Sequence, residues 1–466
     1  MTASIDTALE HTERELDNTI EALKELARIP SISANPPPNA DVARSAKAVS
    51  EWMTRVGLEN VEILELDGVH PYVYADWLHA GADAPTIVLY AHHDVQPPGR
   101  PGHWKSPPFE PEERDGRLYG RGVVDDKAGA AIHFAALDAY LKNGGLPINV
   151  KMVIDGEEEI GSDHLGLFLE TYRDRLDADV IVLTDTANLA SGIPSITYGL
   201  RGIVVVDVEL KTIDHPLHSG MWGGPIPGAP MALCKLLAGL QDAGGRIAID
   251  GIYDDVKPLT DADRARIRAL RFSMEELRAD TGMLDGVKLA GEDGFEPFEL
   301  MWHRPSISIN ALEAAPLQGA SNQIVDSARA RVGIRTVPNM DGKAVAALLT
   351  AHLEKHAPWG AQVTTKVKAT GGWWMTEPGG PAFEAAERAL EKGFGVPSCY
   401  IGCGGSIPFV EPFARVLGGV PALLIGLEDP ICNAHSENES LLMSDFVKAI
   451  KSAVYLYDEL SRLPKK

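Results

Sequence analysis

Several short segments of this sequence end in side chains that bind cations. His92, His93 and Asp94 follow the apolar run TIVLYA (86–91). Asp155, Glu157, Glu158 and Glu159 follow NVKMVI (149–154). Asp185 follows DVIVLT (179–184), and His435 comes a short loop after PALLIGL (421–427). Asp125 and Asp126 precede a helical pattern that starts near Lys127. Taken singly, each has a plain structural explanation: a loop histidine, a solvated glutamate turn, a helix cap. Taken together, they fall at the ends of successive apolar runs. Carboxylates and imidazoles that share a pocket desolvate and repel one another unless a cation neutralises them. A donor set of His, Asp, Glu, Asp and His contains no thiolate; it suits zinc, with manganese or cobalt as alternatives. One carboxylate bridging two ions, with two further ligands for each, makes a two-metal hydrolytic site.

Such residues converge only if the fold brings distant strand ends to one rim. From about 60 to 200, short β-rich runs alternate with helical patterns such as AGAAIHFAALDAYLKNGG (128–145), which predicts a mostly parallel, doubly wound sheet. Ligands in such sheets bind outside the carboxyl ends of the strands. Upstream, Leu9, Leu16, Ile20, Leu23 and Leu26 predict an amphipathic helix over 8–28, broken by the proline-rich stretch that follows. Near 200 the character changes. Strand GIVVVDVELKT (202–212), helix MALCKLLAGLQDAG (231–244), strands SISINALEA (306–314) and ARARVGIRTV (328–337), helix GKAVAALLTAHLEKH (342–356) and strand AQVTTKVKAT (361–370) give an α+β order with a ferredoxin-like pattern. A charged, helix-prone stretch (256–294) interrupts it, and α/β character returns after about 370.

The bulk composition narrows the function classes. The 466 residues carry a net charge of −23, which disfavours nucleic-acid backbones and anionic membranes. Four cysteines, none in a CxxC pair, make no disulfide framework and fit a cytoplasmic protein. There is no signal-peptide pattern and no run long enough to span a bilayer.

At its chemistry-bearing segments the sequence resembles the zinc dipeptidase branch of the aminoacylase/carboxypeptidase metallopeptidases. The resemblance rests on AHHDVQP (91–97), HWKSPPFEPEERDGRLYGRGVVDDKAG (103–129), DGEEEIGS (155–162), LTDT (183–186), ITYGLRG (196–202), PLHSGMWGG (216–224), IRTVPNM (334–340), GGSIP (404–408) and AHSENE (434–439). It implies a catalytic domain with a mixed, mostly parallel sheet, made of residues 1–203 and 369–466, with an inserted lid and dimerisation domain at 204–368. It implies two zinc ions per subunit, with manganese or cobalt as alternatives, and a small peptide as substrate. His92 resembles an imidazole ligand of the first metal and Asp94 its orienting partner. Asp125 resembles the bridging carboxylate, Asp185 completes the first set, and Glu159 and His435 complete the second. Glu158 resembles the general base that deprotonates the attacking water. His218 resembles a histidine that reaches across a homodimer to stabilise the oxyanion, and Asn322, Arg335 and Ser406 resemble residues that bind the substrate backbone and carboxylate.

Two features depart from that pattern. Gly402 and Cys403 stand where the animal dipeptidases carry Arg-Glu, which puts the substrate contacts of that pair in doubt. Glu157 adds an acid to DGEEEIGS, and His93 takes no role. The DVQP, DDKAG, HSGMWGG and GGSIP variants favour a dipeptidase. An N-acyl amino acid amidohydrolase using the same metals and base is the second reading. A silent metal-binding scaffold is the third, disfavoured by the intact Glu158 and donor set.

Overall fold

The computed structural model describes residues 2–162, 164–405 and 410–465. The β-branched apolar runs pair into a nine-stranded sheet. In order across it lie Glu59–Leu64, Tyr72–Trp77, Asn149–Asp155, Thr86–His92, Val180–Leu183, Ala422–Leu424, Ser195–Leu200 and Trp374–Met375, with Cys399–Cys403 also on Ser195–Leu200. The four middle strands, from Asn149–Asp155 to Ala422–Leu424, run parallel. Antiparallel pairs lie toward the edges.

Helices cover both faces, so the central strands are buried at every position instead of alternating. Ala40–Val56, Lys127–Leu141, Pro381–Phe394 and Met443–Leu460 share one core, with Val49, Phe134, Leu390 and Val454 in it. Leu165–Leu176 and Val410–Val416 close the other face through Phe168 and Phe413. The amphipathic segment expected over 8–28 is two helices, Ile5–Arg14 and Leu16–Ala27. They break at Glu15, whose carboxylate gathers the side chains of Arg14 and Asn18. The apolar stripe runs through both helices, so its spacing does not reveal the break.

In chain order, a second sheet is formed between the strands Ser195–Leu200 and Trp374–Met375 of the first. Its order is Ser306–Glu313, Ser327–Thr336, Gly202–Lys211, Gln362–Gly371, antiparallel throughout. With helices Ala229–Ala238 and Gly342–Lys355 it is a ferredoxin-like unit, as the element order predicts. Gly202–Lys211 alternates between buried and half-buried residues, and its inward valines pack on Leu233, Leu236 and Leu349. The charged stretch at 256–294 supplies two short helices, Asp261–Ala269 and Met274–Thr281. Each is opened by a capping box, Thr260 with Asp263 and Ser273 with Glu276. No helix among the described residues is long and apolar enough to cross a membrane.

Candidate metal centre

His92 ends its strand in register with Asp155 on the neighbouring strand. Asp185 stands just past Val180–Leu183, and the 3-10 turn Glu158–Ile160 follows Asn149–Asp155. Asp125 enters on the loop before Lys127–Leu141; the Asp125–Asp126 peptide is cis. Buried Glu439 fixes that loop, accepting from Arg121 Nη1 at 2.6 Å and from the N–H groups of Gly122, Val124 and Asp125 at 3.1, 3.1 and 3.3 Å. A Cβ on Gly129, in the first turn of the helix, would lie 2.0 Å from Asp126 Oδ1 and 2.4 Å from the Thr184 carbonyl. Glycine there lets the helix start abut the strand end that carries Asp185. His435 comes from a tight loop and takes a φ of 62°, a conformation uncommon for a residue with a side chain.

The two oxygens of Asp125 face different imidazoles. Oδ1 lies 3.0 Å from His92 Nε2, and Oδ2 lies 2.9 Å from His435 Nε2. Asp185 Oδ1 is 3.6 Å from His92 Nε2, and Glu159 Oε2 is 3.0 Å from His435 Nε2. One carboxylate thus joins two corners, the first holding His92 and Asp185, the second Glu159 and His435. Donor atoms of His92, Glu158 and Asp185 lie within 4.8 Å of one another, as do those of His92, Asp125 and Glu159, and those of Asp125, Asp185 and Glu428.

The electrostatics follow from this crowding. Burial, reinforced by Asp185, pushes the Glu158 carboxyl well above the usual carboxylate range. Burial and the Asp125 charge push Glu159 up to about 7. Burial also raises Asp185. Burial alone would discharge His92, but Asp185, Asp125 and Asp94 outweigh it and hold the imidazole well above its ordinary range. His435 is pushed up to about 11, first by its hydrogen bond to Asp125 and then by that to Glu159. Burial works against ionised Asp125, yet the two histidines bring its carboxyl below the usual value. Protons on the imidazoles therefore balance carboxylates that divalent cations would balance better. The donor types fit divalent cations.

Asp94 ties the two corners together. Its carboxylate lies 3.3 Å from His92 Nδ1 and accepts from the N–H groups of Glu158 at 3.2 Å and Glu159 at 3.0 Å. Fixing the far nitrogen of a ligating histidine is what an orienting carboxylate does. Gln96 was not singled out from the sequence, yet it grips Glu159. Its backbone N–H donates to Oε1 at 3.0 Å and its side-chain amide to Oε2 at 2.8 Å. Glu428 was missed as well. It follows the strand Ala422–Leu424, so the strand-end rule that selected the other residues also points to it.

The remaining sequence candidates lie elsewhere. His218 and Asn322 are exposed neighbours at a short two-stranded ladder, Leu217–His218 with Gln323–Ile324, where Ser219 N–H donates to the Asn322 carbonyl at 2.9 Å. The His218 ring Nδ1 accepts from Gly220 N–H. Among the described residues no hydrogen bond or ion pair joins His218 to the imidazole–carboxylate cluster. Arg335 is half-buried on Ser327–Thr336, within electrostatic reach of Cys403 and Arg201. Ser406 lies outside the described residues. His93 is buried and bonds the Pro71 carbonyl, a structural role. Gly402 is covered by Trp302, whose ring and Cβ a side chain at that position would meet at 2.5–2.9 Å.

The sequence profile of peptidase family M20/M25/M40 matches residues 88–459. The chain is 34% identical over 361 residues to a cysteinylglycine-S-conjugate dipeptidase of Corynebacterium striatum, covering 77% of each chain. It is 30% identical over 481 residues to the beta-Ala-His dipeptidase of Homo sapiens, covering 99% of this chain and 94% of that one. The solved structure of the dipeptidase Dug1p from Saccharomyces cerevisiae superposes with a TM-score of 0.88 at 28% identity, covering 100% of both chains.

Proposed function

This chain belongs to peptidase family M20/M25/M40, and on that premise we propose that it is a two-metal dipeptidase. The observation that carries the reading is the shared Asp125, whose oxygens lie 3.0 and 2.9 Å from imidazoles of two separate corners. His92, Asp125 and Asp185 would hold one ion, and Asp125, Glu159 and His435 the other. Zinc suits this nitrogen and oxygen set, with manganese or cobalt as alternatives. When bound, the ions polarise the scissile carbonyl and make water acidic enough to ionise near neutrality.

The chain's own residues do the rest. Asp94 orients His92 and the turn that carries Glu158. Glu158, beside His92 and Asp185 in the cluster, takes a proton as the water oxygen bonds to the carbonyl carbon. It returns that proton to the amine nitrogen as the C–N bond breaks. Asn322, Arg335 and Ser406 bind the substrate's backbone and carboxylate, and the Arg335 guanidinium suits the carboxylate.

We further read the chain as a homodimer in which His218 stabilises the oxyanion in the partner's site. The exposure of His218, and of Met221, Trp222, Ile309, Leu312 and Val367 in the same unit, supports this. Residues 204–368 then form the lid, inserted between 1–203 and 369–466; the separate sheet and core of that unit support the division. Four free cysteines support a reducing, cytoplasmic setting.

The test is hydrolysis of a panel by metal-loaded protein: unmodified dipeptides including aminoacyl-histidines and cysteinylglycine, longer peptides, and N-acetyl and N-succinyl amino acids. Cleavage of free dipeptides alone is expected. Cleavage of the acylated compounds alone would move the chain to the deacylases.

A further inference from the structure

Five donors complete the bridged arrangement, yet Glu428 presents a sixth group, a further carboxylate, to it. Its backbone is locked onto the segment after Asp185. Glu428 N–H donates to the Thr186 carbonyl at 3.4 Å, and the Glu428 carbonyl accepts from Asn188 N–H at 2.8 Å. The next residue, Asp429, is buried and grips both terminal nitrogens of Arg117 at 2.9 and 2.5 Å. Glu428 therefore projects from a rigid support. Its carboxylate comes within 4.8 Å of Asp125 and Asp185 oxygens. Among the described residues it makes no side-chain hydrogen bond or ion pair. Its grouping, unlike the other two, contains no imidazole.

We propose that Glu428 receives the α-ammonium group of the substrate and is the residue that selects free amino ends. This rests on the dipeptidase reading and deepens it. The reacting carbonyl must sit over the Asp125 cluster beside Glu158. In a dipeptide the α-ammonium nitrogen is two bonds from the scissile carbonyl carbon, about 2.5 Å away. Its acceptor must then lie within a few ångströms of the metal donors, and Glu428 does. The strand on the same side brings no acid, for it ends in Gly402, packed under Trp302, and Cys403, whose thiol burial pushes up to about 11 and keeps neutral. Cys403 lies within electrostatic reach of Glu428. The carboxylate absent from that strand is supplied by Glu428 instead. An N-acyl amino acid puts a neutral carbon where the ammonium would sit, and would leave Glu428 desolvated without a partner.

Alanylglycine and propionylglycine differ only by that amino group and make the test. Wild type and Glu428→Gln are compared for kcat/KM on alanylglycine, for the inhibition constant of propionylglycine, and for metal per chain by elemental analysis. The variant should keep its metal and lose about thirtyfold or more on alanylglycine, as when one partner of a buried charge pair is neutralised. It should bind propionylglycine as well as wild type or better, and Glu428→Asp should recover part of the lost activity. Loss of metal from Glu428→Gln, or an equal loss on both ligands, would overturn the proposal. Failure of the dipeptidase reading is seen separately, in wild type that cleaves acylated amino acids and no free dipeptide.

Discussion

Asp94→Asn should weaken metal binding and turnover together, although Asp94 is no metal donor. The aspartate meets three donors: the Glu158 and Glu159 N–H groups at 3.2 and 3.0 Å and His92 Nδ1 at 3.3 Å. Glu158 N–H and His92 Nδ1 share Oδ1, while Glu159 N–H takes Oδ2. Asparagine keeps one oxygen and puts an NH₂ in place of the other. If the oxygen stays with Oδ1's partners, the NH₂ meets Glu159 N–H donor to donor. If it flips, Glu158 N–H loses its acceptor, while His92 Nδ1 keeps the Asp94 backbone carbonyl at 3.1 Å and loses the carboxylate charge. Either way at least one hydrogen bond to a charged group goes, about 1.5–3 kcal/mol. The expected effect is roughly 10–100-fold in metal affinity, the usual range for an orienting partner, with a similar fall in kcat/KM. Competition against a chromophoric chelator gives the affinity, and steady-state kinetics at saturating metal gives the catalytic part. Wild-type affinity and wild-type kcat/KM in Asp94→Asn would refute the claim that one carboxylate sets both corners.

Glu158→Ala should keep both metals and lose about 10²–10⁴ in kcat, as expected for a removed general base; unchanged turnover in the metal-loaded variant would remove Glu158 from that role. Mixing inactive His218→Ala with inactive Glu158→Ala chains should restore partial activity, because each dimer can then assemble one site with both residues intact. Verified heterodimers without activity would place His218 outside the reaction. Metal uptake should release protons and strengthen as pH rises, because His92 and His435 are held above their ordinary range and must give up protons to coordinate. Titration calorimetry in buffers of different ionisation enthalpy reads this directly, and buffer-independent heats would count against the ligand assignment.

Most of the fold and much of the candidate cluster were legible because two physical rules left marks in the sequence. Doubly covered strands are apolar at every position, and open α/β sheets bind ligands beyond strand carboxyl ends. His92, Asp185 and the Glu158–Glu159 turn follow from those rules. Glu428 meets the same rule, directly after PALLIGL, while His435 lies a short loop further on. Gln96 carries no charge to draw attention, and its grip on Glu159 depends on a loop path that no periodicity encodes. The break at Glu15 was hidden because one apolar stripe serves both helices. His218 and Asn322 come together at the short ladder of Leu217–His218 with Gln323–Ile324, which no periodicity in the sequence marks.

The scaffold of the site is held by protein groups, and this sets how the metal-free enzyme should behave. Arg121 and Glu439, both almost wholly buried, join the Asp125 loop to the segment that carries His435. Arg117 and Asp429 join the strand Arg117–Tyr119 to the loop after Ala422–Leu424. Breaking a buried pair of this kind costs about 3–5 kcal/mol, so each wall is fixed without a cation. Asp125 is also held by protonated His92 and His435 below their raised pKa values. The site thus differs from small metal-folded domains, where binding free energy is folding free energy. Chelator-treated protein should lose activity yet keep its far-ultraviolet circular dichroism and a cooperative thermal transition. Each ion should add only the stabilisation of mass action, about 2.7 kcal/mol at a hundredfold excess over its dissociation constant. Activity should return on adding zinc, manganese or cobalt without a refolding step. Unfolding on chelation would mean that the buried pairs do not set the geometry, and full activity in metal-free protein would remove the metal from the mechanism.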